Sequence, residues 1–459
     1  MREAGYAQPG RPGVVPGTTW PALRRTGLVF WVSGTVQAGA TDKSMRVLVA
    51  LEHHFLRDAA GHVYPAPPAV VEYNFWQRYL EVFEEVVVLA RVRCVRQEMA
   101  VSSRADGPGV TFHDLPDYLG PWQYLRCLPA LSRRVREAVE SSDAFILRVP
   151  GAISQLAWRA IRKKQGPFAV EVVGDPWDVF SPGAVRTILR PAIRRIWSGD
   201  LRRMCREASA ASYVTREALQ RRYPPGPYTW TTHFSSIELK NGLAADSQIE
   251  ERIHRLSLLS KGPNLREYPF RIGFVGTFHQ LYKAPDVLLR AIASCRAEFP
   301  MLEVALAGDG TYLEPMKQLA RRLGLAGHAR FVGALPPAEA VYRFLDETDL
   351  FVLPSRPEGL PRAMIEAMAR GCPCIGSTVG GIPELLPAED LVPPGDVDAL
   401  ARKIVEVLSD PHRMQRMATR NWKAATEYLP EILDERRRVF YRKIRELVEQ
   451  CSRLARQSS

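Results

Sequence analysis

Short apolar runs rich in β-branched residues alternate with amphipathic segments along most of this 459-residue chain. The apolar runs predict strands at residues 45–51, 86–90, 144–147, 169–173 and 211–215. Helical periodicity predicts helices at residues 75–85, 122–141 and 154–164. Strands that alternate with helices in this way form parallel sheets covered on both faces. The sequence therefore predicts an α/β fold, and its length leaves room for two domains.

A second alternation of the same kind begins near residue 270 and runs to about residue 409. Residues 241–268 between the two are polar and mixed, so we place the interdomain connection there. Residues 1–44 are an irregular extension rich in Gly, Pro and Thr. The stretch before its basic residues is too long, and its apolar run too broken, for a secretory signal. The first predicted core strand begins at Met45, which is therefore a candidate start of the functional chain.

Two glutamates eight residues apart, Glu358 and Glu366, flank a predicted junction between a loop and a helix. Pro361 suits the first helical position, because its missing N–H would have no partner there, and residues 363–370 then read as helix. Glu366 thus lies about two turns beyond Glu358. A sugar nucleotide over this helix N-terminus would meet both carboxylates and free N–H groups. Taken alone, such a pair also describes an ordinary exposed helix.

The surroundings of these glutamates favour a ligand site. An apolar strand at residues 349–355 ends in turn residues just before them, and residues 371–376 form a turn and a short strand just after. Gly380 and Gly381 then open a second helix, again with a proline near its start. Helix N-termini that follow consecutive strands point to one edge of a doubly wound sheet, where phosphate sites lie.

These segments resemble the donor-binding half of retaining GT-B glycosyltransferases of family 4, the glycogen synthase-like group 1 glycosyltransferases. The resemblance rests on RIGFVGT, YKAPD, AGDG, FVG, DLFVLPS, EGLPRAMIEAMARGCP and GGIPELL, in that order. It is strong over residues 270–405, weaker over 45–240 and absent before residue 45. It implies two Rossmann-like, doubly wound domains that face a central cleft. The implied layout is an acceptor domain at 45–240, a connection at 241–268, a donor domain at 269–409 and helices at 410–459 that pack back on the first domain.

The resemblance also implies a reaction. A hexose-type sugar would pass from a nucleotide diphosphate sugar to a saccharide or lipid-linked acceptor, with retention at the anomeric carbon, in cell-surface polysaccharide or glycolipid synthesis. No metal or other cofactor is expected, since the nucleotide sugar is a co-substrate. Two alternatives stay open at this point. One is a sugar-nucleotide epimerase of the same fold, and the other is a non-catalytic subunit that binds a sugar nucleotide.

Roles for individual side chains follow from the same resemblance. Lys283 would clamp the donor diphosphate and Glu358 would contact the donor sugar, which makes these two the candidate catalytic residues. Glu366 would bind the ribose hydroxyls. Thr277 stands where the family usually has an arginine that shares the diphosphate with the lysine. Because Thr277 replaces that arginine, one negative charge of the departing diphosphate would lack the positive side chain that usually faces it.

Backbone groups complete the predicted donor site. Gly276 ends a predicted strand, where the absence of a side chain lets a phosphate approach the backbone. The backbone around Gly308 and Val332 would contact the base. Sugar and phosphate oxygens would be received by the N–H groups of Gly359, Leu360, Gly380 and Gly381.

The acceptor side carries a weaker signature. His53 and His54 follow the first predicted strand, at the expected mouth of the cleft. Family members often carry a histidine at the end of another first-domain strand. The corresponding stretch here, residues 172–178, has none, and Asp175 is its nearest polar candidate. These three residues are the predicted acceptor-side contacts.

The charge of the chain limits which partners are expected, and its cysteine content limits the cellular compartment. The net charge is +12, and residues 151–240 hold 15 Lys and Arg against 7 Asp and Glu. This excess indicates either solvated helix faces or attraction to an anionic membrane or a diphosphate-linked acceptor. No nucleic-acid motif is present, so that partner is not expected. Seven scattered cysteines predict a reducing compartment, and no apolar run is long enough to span a membrane, so the sequence predicts a cytoplasmic protein. The basic charge would favour a place at the inner face of the membrane.

A metal site is not expected. Asp396 and Asp398 form a D-x-D pattern that other glycosyltransferase folds use for a metal. Both precede a predicted helix, and helix capping explains them.

Overall fold

The computed structural model describes residues 44–67, 71–96, 104–179, 190–239, 242–261, 264–336 and 338–457. Residues 1–43 of the predicted extension lie outside these ranges. The strands are β1 (Arg46–Arg57), β2 (Val63–Pro65), β3 (Glu85–Cys94), β4 (Val110–Leu115), β5 (Ala144–Val149), β6 (Ala169–Val172), β7 (Ala210–Tyr213), β8 (Trp230–His233), β9 (Arg271–Val275), β10 (Glu303–Ala307), β11 (Ala329–Gly333), β12 (Leu350–Leu353), β13 (Cys374–Ser377) and β14 (Leu391–Val392).

The α-helices fill the intervals between these strands and form the end of the chain. They are α1 (Tyr73–Leu80), α2 (Gly120–Glu140), α3 (Ala152–Lys164), α4 (Pro176–Val179), α5 (Arg190–Glu207), α6 (Ala218–Arg222), α7 (Asp246–Lys261), α8 (Pro285–Cys295), α9 (Leu313–Arg322), α10 (Glu339–Asp346), α11 (Arg362–Ala369), α12 (Ile382–Leu385), α13 (Val397–Leu408), α14 (Pro411–Ala425) and α15 (Pro430–Gln457).

Two sheets organise the described chain. The first has the strand order β4-β3-β1-β5-β6-β7-β8, with β2 paired antiparallel to β1 and every other pair parallel. The second has the order β11-β10-β9-β12-β13-β14 and is parallel throughout. Strands β6, β12 and β13 are buried along their whole length, as parallel strands covered on both faces require. The predicted α/β class with two parallel sheets is confirmed.

The last helix returns to the first sheet. The Tyr441 hydroxyl on α15 donates to Glu171 Oε1 in β6 at 2.9 Å, and Arg148 from β5 pairs with the same carboxylate. Glu171 is 2% exposed, so these partners supply the hydrogen bonds that a buried carboxylate needs. Trp230 and Phe440 stack with ring centroids 6.1 Å apart. The C-terminal helix therefore contributes to the core of the first sheet.

The region predicted as the interdomain connection, residues 241–268, is helical over most of its length. α7 occupies it and packs against α14. This helix buries only Ile249, Arg252 and Leu256, so its sequence lacks a broad apolar stripe. Arg252 donates to the carbonyl oxygens of Thr348 at 2.6 Å and Leu345 at 2.9 Å. The helix is thus held partly by polar contacts, which periodicity does not reveal.

Other boundaries differ by a few residues. The helix predicted at residues 75–85 is α1, which ends at Leu80, because the chain must turn before β3 begins at Glu85. Pro361 has an extended backbone, with ψ 114°, and lies just outside α11 rather than in it. Strands β4 and β8 were not predicted. No residue of β8 is fully buried, so it lacks the apolar signature of its neighbours.

No helix in the described ranges is both long enough and apolar enough to cross a membrane.

Candidate active site

The carboxyl ends of β9 and β10 meet at two glycines. Gly276 directly follows β9, and its N–H donates to Ala307 O at the end of β10 at 3.0 Å. Gly308 has φ +142°, and a Cβ there would lie 1.8 Å from Gly276 O. The two backbones therefore touch, and no side chain fits between them. This contact leaves main-chain atoms at the sheet edge where the sequence predicts the donor.

Two further loops meet at the same edge, and we call residues 358–360 and 380–381 the donor loops. Gly380 has φ +52°, and a Cβ on it would lie 1.7 Å from Glu358 O. The Gly381 N–H donates to Gly359 O at 2.6 Å. Contrary to the sequence-based expectation, this N–H is engaged within the protein. The N–H groups of Gly359, Leu360 and Gly380 have no acceptor among the described residues.

Lys283 and Glu358 form the charged centre of this edge. Lys283 Nζ lies 2.5 Å from Glu358 Oε2, and the two side chains are 11% and 10% exposed. The Lys283 side chain passes over Gly276, since a Cβ on that glycine would lie 3.1 Å from Lys283 Cγ. The structure thus brings together three of the predicted donor residues, which come from β9, the turn before α8 and the loop before α11.

Ser355 holds Glu358 in place and is itself held by a second serine. The Ser355 hydroxyl donates to Glu358 Oε2 at 3.0 Å, and the Ser377 hydroxyl donates to Ser355 O at 2.6 Å. Tyr282 lies beside the pair, and burial, together with the negative charge of Glu358, raises its pKa to about 12. The serines were missed by sequence reasoning, although Ser355 ends the apolar strand that led to the site.

The side-chain carboxylate of Glu366, on α11, has no hydrogen-bond or ion-pair partner among the described residues. Burial raises the pKa of its carboxyl group above the ordinary value, and the positive charge of Arg362 opposes this only in part. A largely desolvated carboxylate without a partner is costly. A ligand with hydroxyl donors would supply the missing hydrogen bonds.

Thr277 and Val332 occupy less charged parts of the edge. Thr277 Oγ1 accepts from the His279 N–H at 3.1 Å, so the hydroxyl supports the turn after β9. Val332 is half-buried in β11. The next residue along, Gly333, accepts from the Gly308 N–H at 2.7 Å. The backbones of both predicted base-contact segments are therefore tied to one another.

The predicted acceptor residues lie in the first half of the chain, and their placement differs from the prediction. His53 and His54 are inside β1, which runs to Arg57, at a point where its pairing with β3 is irregular. His54 Nδ1 lies 2.7 Å from Asp117 Oδ1. His53 Nδ1 is buried without a partner among the described atoms. Burial, with Arg148 and Arg91 nearby, lowers the pKa of His53 to about 4, so it is neutral at pH 7.

Asp175 is fully engaged inside the first half. It pairs with Arg222, accepts from the Tyr223 hydroxyl and accepts from the Trp177 N–H, the last at 2.8 Å. These contacts hold the turn that opens α4. An acceptor could reach this carboxylate only in competition with them.

A charged pair that sequence reasoning missed lies beside the histidines. Glu52 Oε2 is 3.1 Å from Arg91 Nη2, and Glu52 Oε1 accepts from the Ile153 N–H at the start of α3 at 2.6 Å. Gly151 makes room for it, since a Cβ there would lie 2.6 Å from Glu52 Cγ. The members of this cluster are far apart in the chain, so no local pattern marks them.

Within the described ranges, no group of three or more His, Cys, Asp or Glu side chains has the arrangement of a metal site. The Asp396 carboxylate accepts from the Ala399 N–H at 2.9 Å and caps α13, as predicted for this D-x-D segment.

Comparison with known proteins agrees with this geometry. Residues 258–424 match the family model described as glycosyl transferases group 1. Protein CapJ of Staphylococcus aureus is 25% identical over 377 residues, which cover 81% of this chain and 90% of the relative. The phosphatidyl-myo-inositol mannosyltransferase of Mycobacterium leprae is 26% identical over 325 residues, which cover 68% of this chain and 76% of the relative.

A solved structure extends the match to the fold. The crystal structure of Anabaena HepE in complex with UDP and glucose superposes with a TM-score of 0.56 at 17% identity, covering 90% of this chain and 99% of HepE. These matches give no support to the alternative of a sugar-nucleotide epimerase. The matched segment contains Lys283, Glu358 and Glu366, of which Lys283 and Glu358 meet at the edge of the second sheet. Residues 258–424 therefore match the group 1 glycosyltransferases, and the described chain has the GT-B fold.

Proposed function

We propose that this glycosyltransferase moves a sugar, with retention at the anomeric carbon, from a nucleoside diphosphate sugar to a saccharide or lipid-linked acceptor in cell-surface polysaccharide or glycolipid synthesis. The observation that carries the proposal is the buried contact between Lys283 and Glu358 at the carboxyl edge of the second sheet. Ligands of open α/β sheets bind at this edge.

The donor would lie across the donor loops. Its diphosphate would meet Lys283 and the unoccupied N–H groups of Gly359 and Gly380, and its sugar would meet Glu358. The ribose hydroxyls would donate to Glu366, a half-buried carboxylate whose side chain has no other partner in the part of the chain that the structure describes. The base would lie against the backbone near Gly308 and Val332. Each group of the donor thus has a complementary protein group within one sheet edge.

Lys283 would contribute most in the transition state. As the bond to the sugar breaks, negative charge grows on the departing diphosphate, and a fixed ammonium ion stabilises it more strongly than it stabilises the ground state. Glu358 holds that ammonium ion in place before the donor arrives. Thr277 adds no charge here, so Lys283 would carry more of this effect than in relatives that have arginine at that position.

The acceptor would enter from the first half. HepE was solved with UDP and glucose, and the Mycobacterium leprae relative is named for an inositol phospholipid acceptor. The first fact supports a nucleotide-sugar donor, and the second supports a lipid-linked acceptor. Glu52 and the neutral His53 lie near the carboxyl edge of the first sheet, where hydroxyl groups of an acceptor could hydrogen-bond to them.

A membrane-bound acceptor is further supported by the surface of α2. Leu119, Trp122 and Leu125 are 67%, 82% and 56% exposed at its N-terminal end. Exposed apolar residues at this spacing, on a strongly basic chain, suit the interface of an anionic membrane. We therefore place the enzyme at the cytoplasmic face of a membrane, held there by peripheral contact.

The reaction is tested by supplying a panel of UDP- and GDP-sugars without acceptor and following the released sugar by NMR. We expect slow hydrolysis of one donor, with the anomer of the donor appearing first. The Glu358→Ala variant should be at least tenfold slower, whereas Glu339→Gln, on the exposed surface of α10, should match the parent. If no donor is consumed and neither UDP nor GDP binds in calorimetry, the proposal is wrong.

Membrane contact is tested separately with phosphatidylcholine vesicles that contain or lack phosphatidylglycerol. We expect the parent to sediment with the anionic vesicles and Trp122→Ser to bind them several-fold more weakly. Leu258→Ser removes an apolar residue of comparable exposure from α7 and serves as the control. If the parent and both variants bound the anionic vesicles equally, α2 would not be part of the membrane contact.

A further inference from the structure

Glu384 on α12 reaches across to the first half of the chain. Its Oε2 accepts from the Arg216 N–H at 2.5 Å, and its Oε1 accepts from the N–H groups of Glu217 at 3.0 Å and Ala218 at 2.7 Å. These donors precede or begin α6, where N–H groups lack acceptors within the helix. A carboxylate at this position also interacts favourably with the helix dipole. One side chain therefore satisfies three main-chain donors about 167 positions away.

The segment that carries Glu384 also forms one of the donor loops. The Glu384 N–H donates to Gly381 O at 3.1 Å, and the Gly381 N–H donates to Gly359 O. A Cβ on Gly381 would lie 3.0 Å from Thr215 Cγ2 in the first half and 2.8 Å from Leu360 Cδ1. Leu360 itself packs against the apolar cores of both sheets. The turn at residues 380–384 is thus in contact with the other donor loop on one side and with the start of α6 on the other.

We propose that Glu384 is a positioning residue. Its three hydrogen bonds, which we call the clasp, join the half of the chain that forms the first sheet to the half that forms the second sheet, and so set the distance between the donor and the acceptor. This inference rests on the proposed sugar transfer. The three hydrogen bonds fasten the first half beside the donor loops without using any group that would contact the donor. Release of the clasp therefore changes how the halves meet and leaves the donor-binding groups in place.

The kinetic signature follows from this arrangement. Nucleoside diphosphate binds to the second half, so its affinity should not depend on Glu384. Transfer needs both halves at the correct separation, so its rate should fall when the clasp opens. Water reaches the donor without the first half, so hydrolysis should fall less than transfer. A residue that merely stabilised the fold would change these three quantities together with the melting temperature.

The contact itself is tested by hydrogen exchange, measured by mass spectrometry, in the full-length parent and in Glu384→Gln. We expect the amides of residues 216–218 to exchange at least tenfold faster in the variant. The Leu219 amide is an internal reference, because it donates to Thr215 Oγ1 at 3.0 Å rather than to Glu384. Glu389→Gln is the matched control, since Glu389 is 68% exposed and lies five positions further along the chain. Unchanged exchange at residues 216–218 would overturn the clasp.

Its role in the reaction is tested on the same three proteins. In Glu384→Gln we expect kcat for transfer to fall at least tenfold, while Kd for UDP or GDP stays within twofold of the parent. Equal transfer rates, or a loss of nucleotide affinity that parallels the loss of rate, would overturn the positioning role. If the parent itself neither binds nucleotide nor consumes donor, the proposed function fails, and the exchange result alone decides the clasp. The glutamine is nearly isosteric, so this variant is decisive even if Glu384→Ala does not fold.

Discussion

Lys283 Nζ and Glu358 Oε2 lie 2.5 Å apart although their residues are 75 positions apart in the chain. Each side chain is about nine-tenths buried. A buried pair of this kind costs desolvation, and its two charges compensate each other only while both are present. The contact therefore links the turn before α8 to the loop before α11, and it sets the electrostatics of the donor edge.

The first prediction is that this pair behaves as one unit. Lys283→Met and Glu358→Gln should each lower the free energy of unfolding by about 3–5 kcal/mol, because each leaves a buried charge unpaired. The loss in free energy of unfolding should be clearly smaller in the double variant than the losses of the two single variants added together. Urea unfolding of the four proteins measures this coupling. Strictly additive losses would show that the two side chains act independently. Lys283→Met should also lower turnover on the order of 10²-fold, as for the loss of one donor to a developing anion.

The second prediction concerns Thr277, at the position where the resemblance to retaining GT-B glycosyltransferases implies an arginine. Thr277→Arg should tighten nucleoside diphosphate binding, because a guanidinium after β9 would reach the phosphates that Lys283 is proposed to bind. Thr277→Met adds bulk without charge and is the control. Calorimetry with UDP and GDP gives both affinities. Weaker binding in Thr277→Arg would mean that another cation already fills this space.

The third prediction separates stability from binding at Glu366. Burial raises the pKa of this carboxyl group, so the stability linked to it is fully present below the unfolded pKa and is lost as pH rises through the folded pKa. Glu366→Gln should therefore raise the urea midpoint at pH 7 relative to the parent and have little effect near pH 4. Glu366→Ala should weaken nucleotide binding by about 1.5–3 kcal/mol through loss of a charged acceptor. A stabilised variant with unchanged nucleotide affinity would remove Glu366 from the ribose site.

The fourth prediction concerns His53, whose pKa is lowered to about 4 by burial and by the charges of Arg148, Arg91 and His54. His53 takes up a proton near pH 6.5 in the unfolded chain and only near pH 4 in the folded protein. The stability linked to this titration is therefore fully present above pH 6.5 and is lost as pH falls from there toward 4. His53→Gln should lose less stability than the parent across this window, measured by urea unfolding at pH 7 and pH 5. His412→Gln, on the exposed face of α14, should follow the parent, and an identical pH profile in His53→Gln would contradict the prediction.

The sequence predicted those parts of the fold that have a local signature. Strands such as β12 are continuous apolar runs, and the glycines and prolines at the donor loops mark their turns directly. Lys283, Glu358 and Glu366 were predicted as donor-site residues because they stand in motifs next to such strands that resemble those of retaining GT-B glycosyltransferases. The sequence did not predict α7, which relies on contacts of Arg252 with carbonyl groups more than 90 positions away. It also missed Glu52, Ser355 and Glu384, because each acts through a partner that only the folded chain brings near.

The contact between Tyr441 and Glu171 joins residues 270 positions apart, and it determines the order in which the protein is completed during synthesis. The strands of the first sheet leave the ribosome before those of the second, with the Glu171 carboxylate and the Trp230 ring not yet covered by Tyr441 and Phe440. Helix α15 follows both sheets in the chain, and only then are these two groups covered. The first sheet is thus completed only after the second sheet has been made. A nascent chain that stalls before residue 440 leaves these groups open to chaperones and proteases.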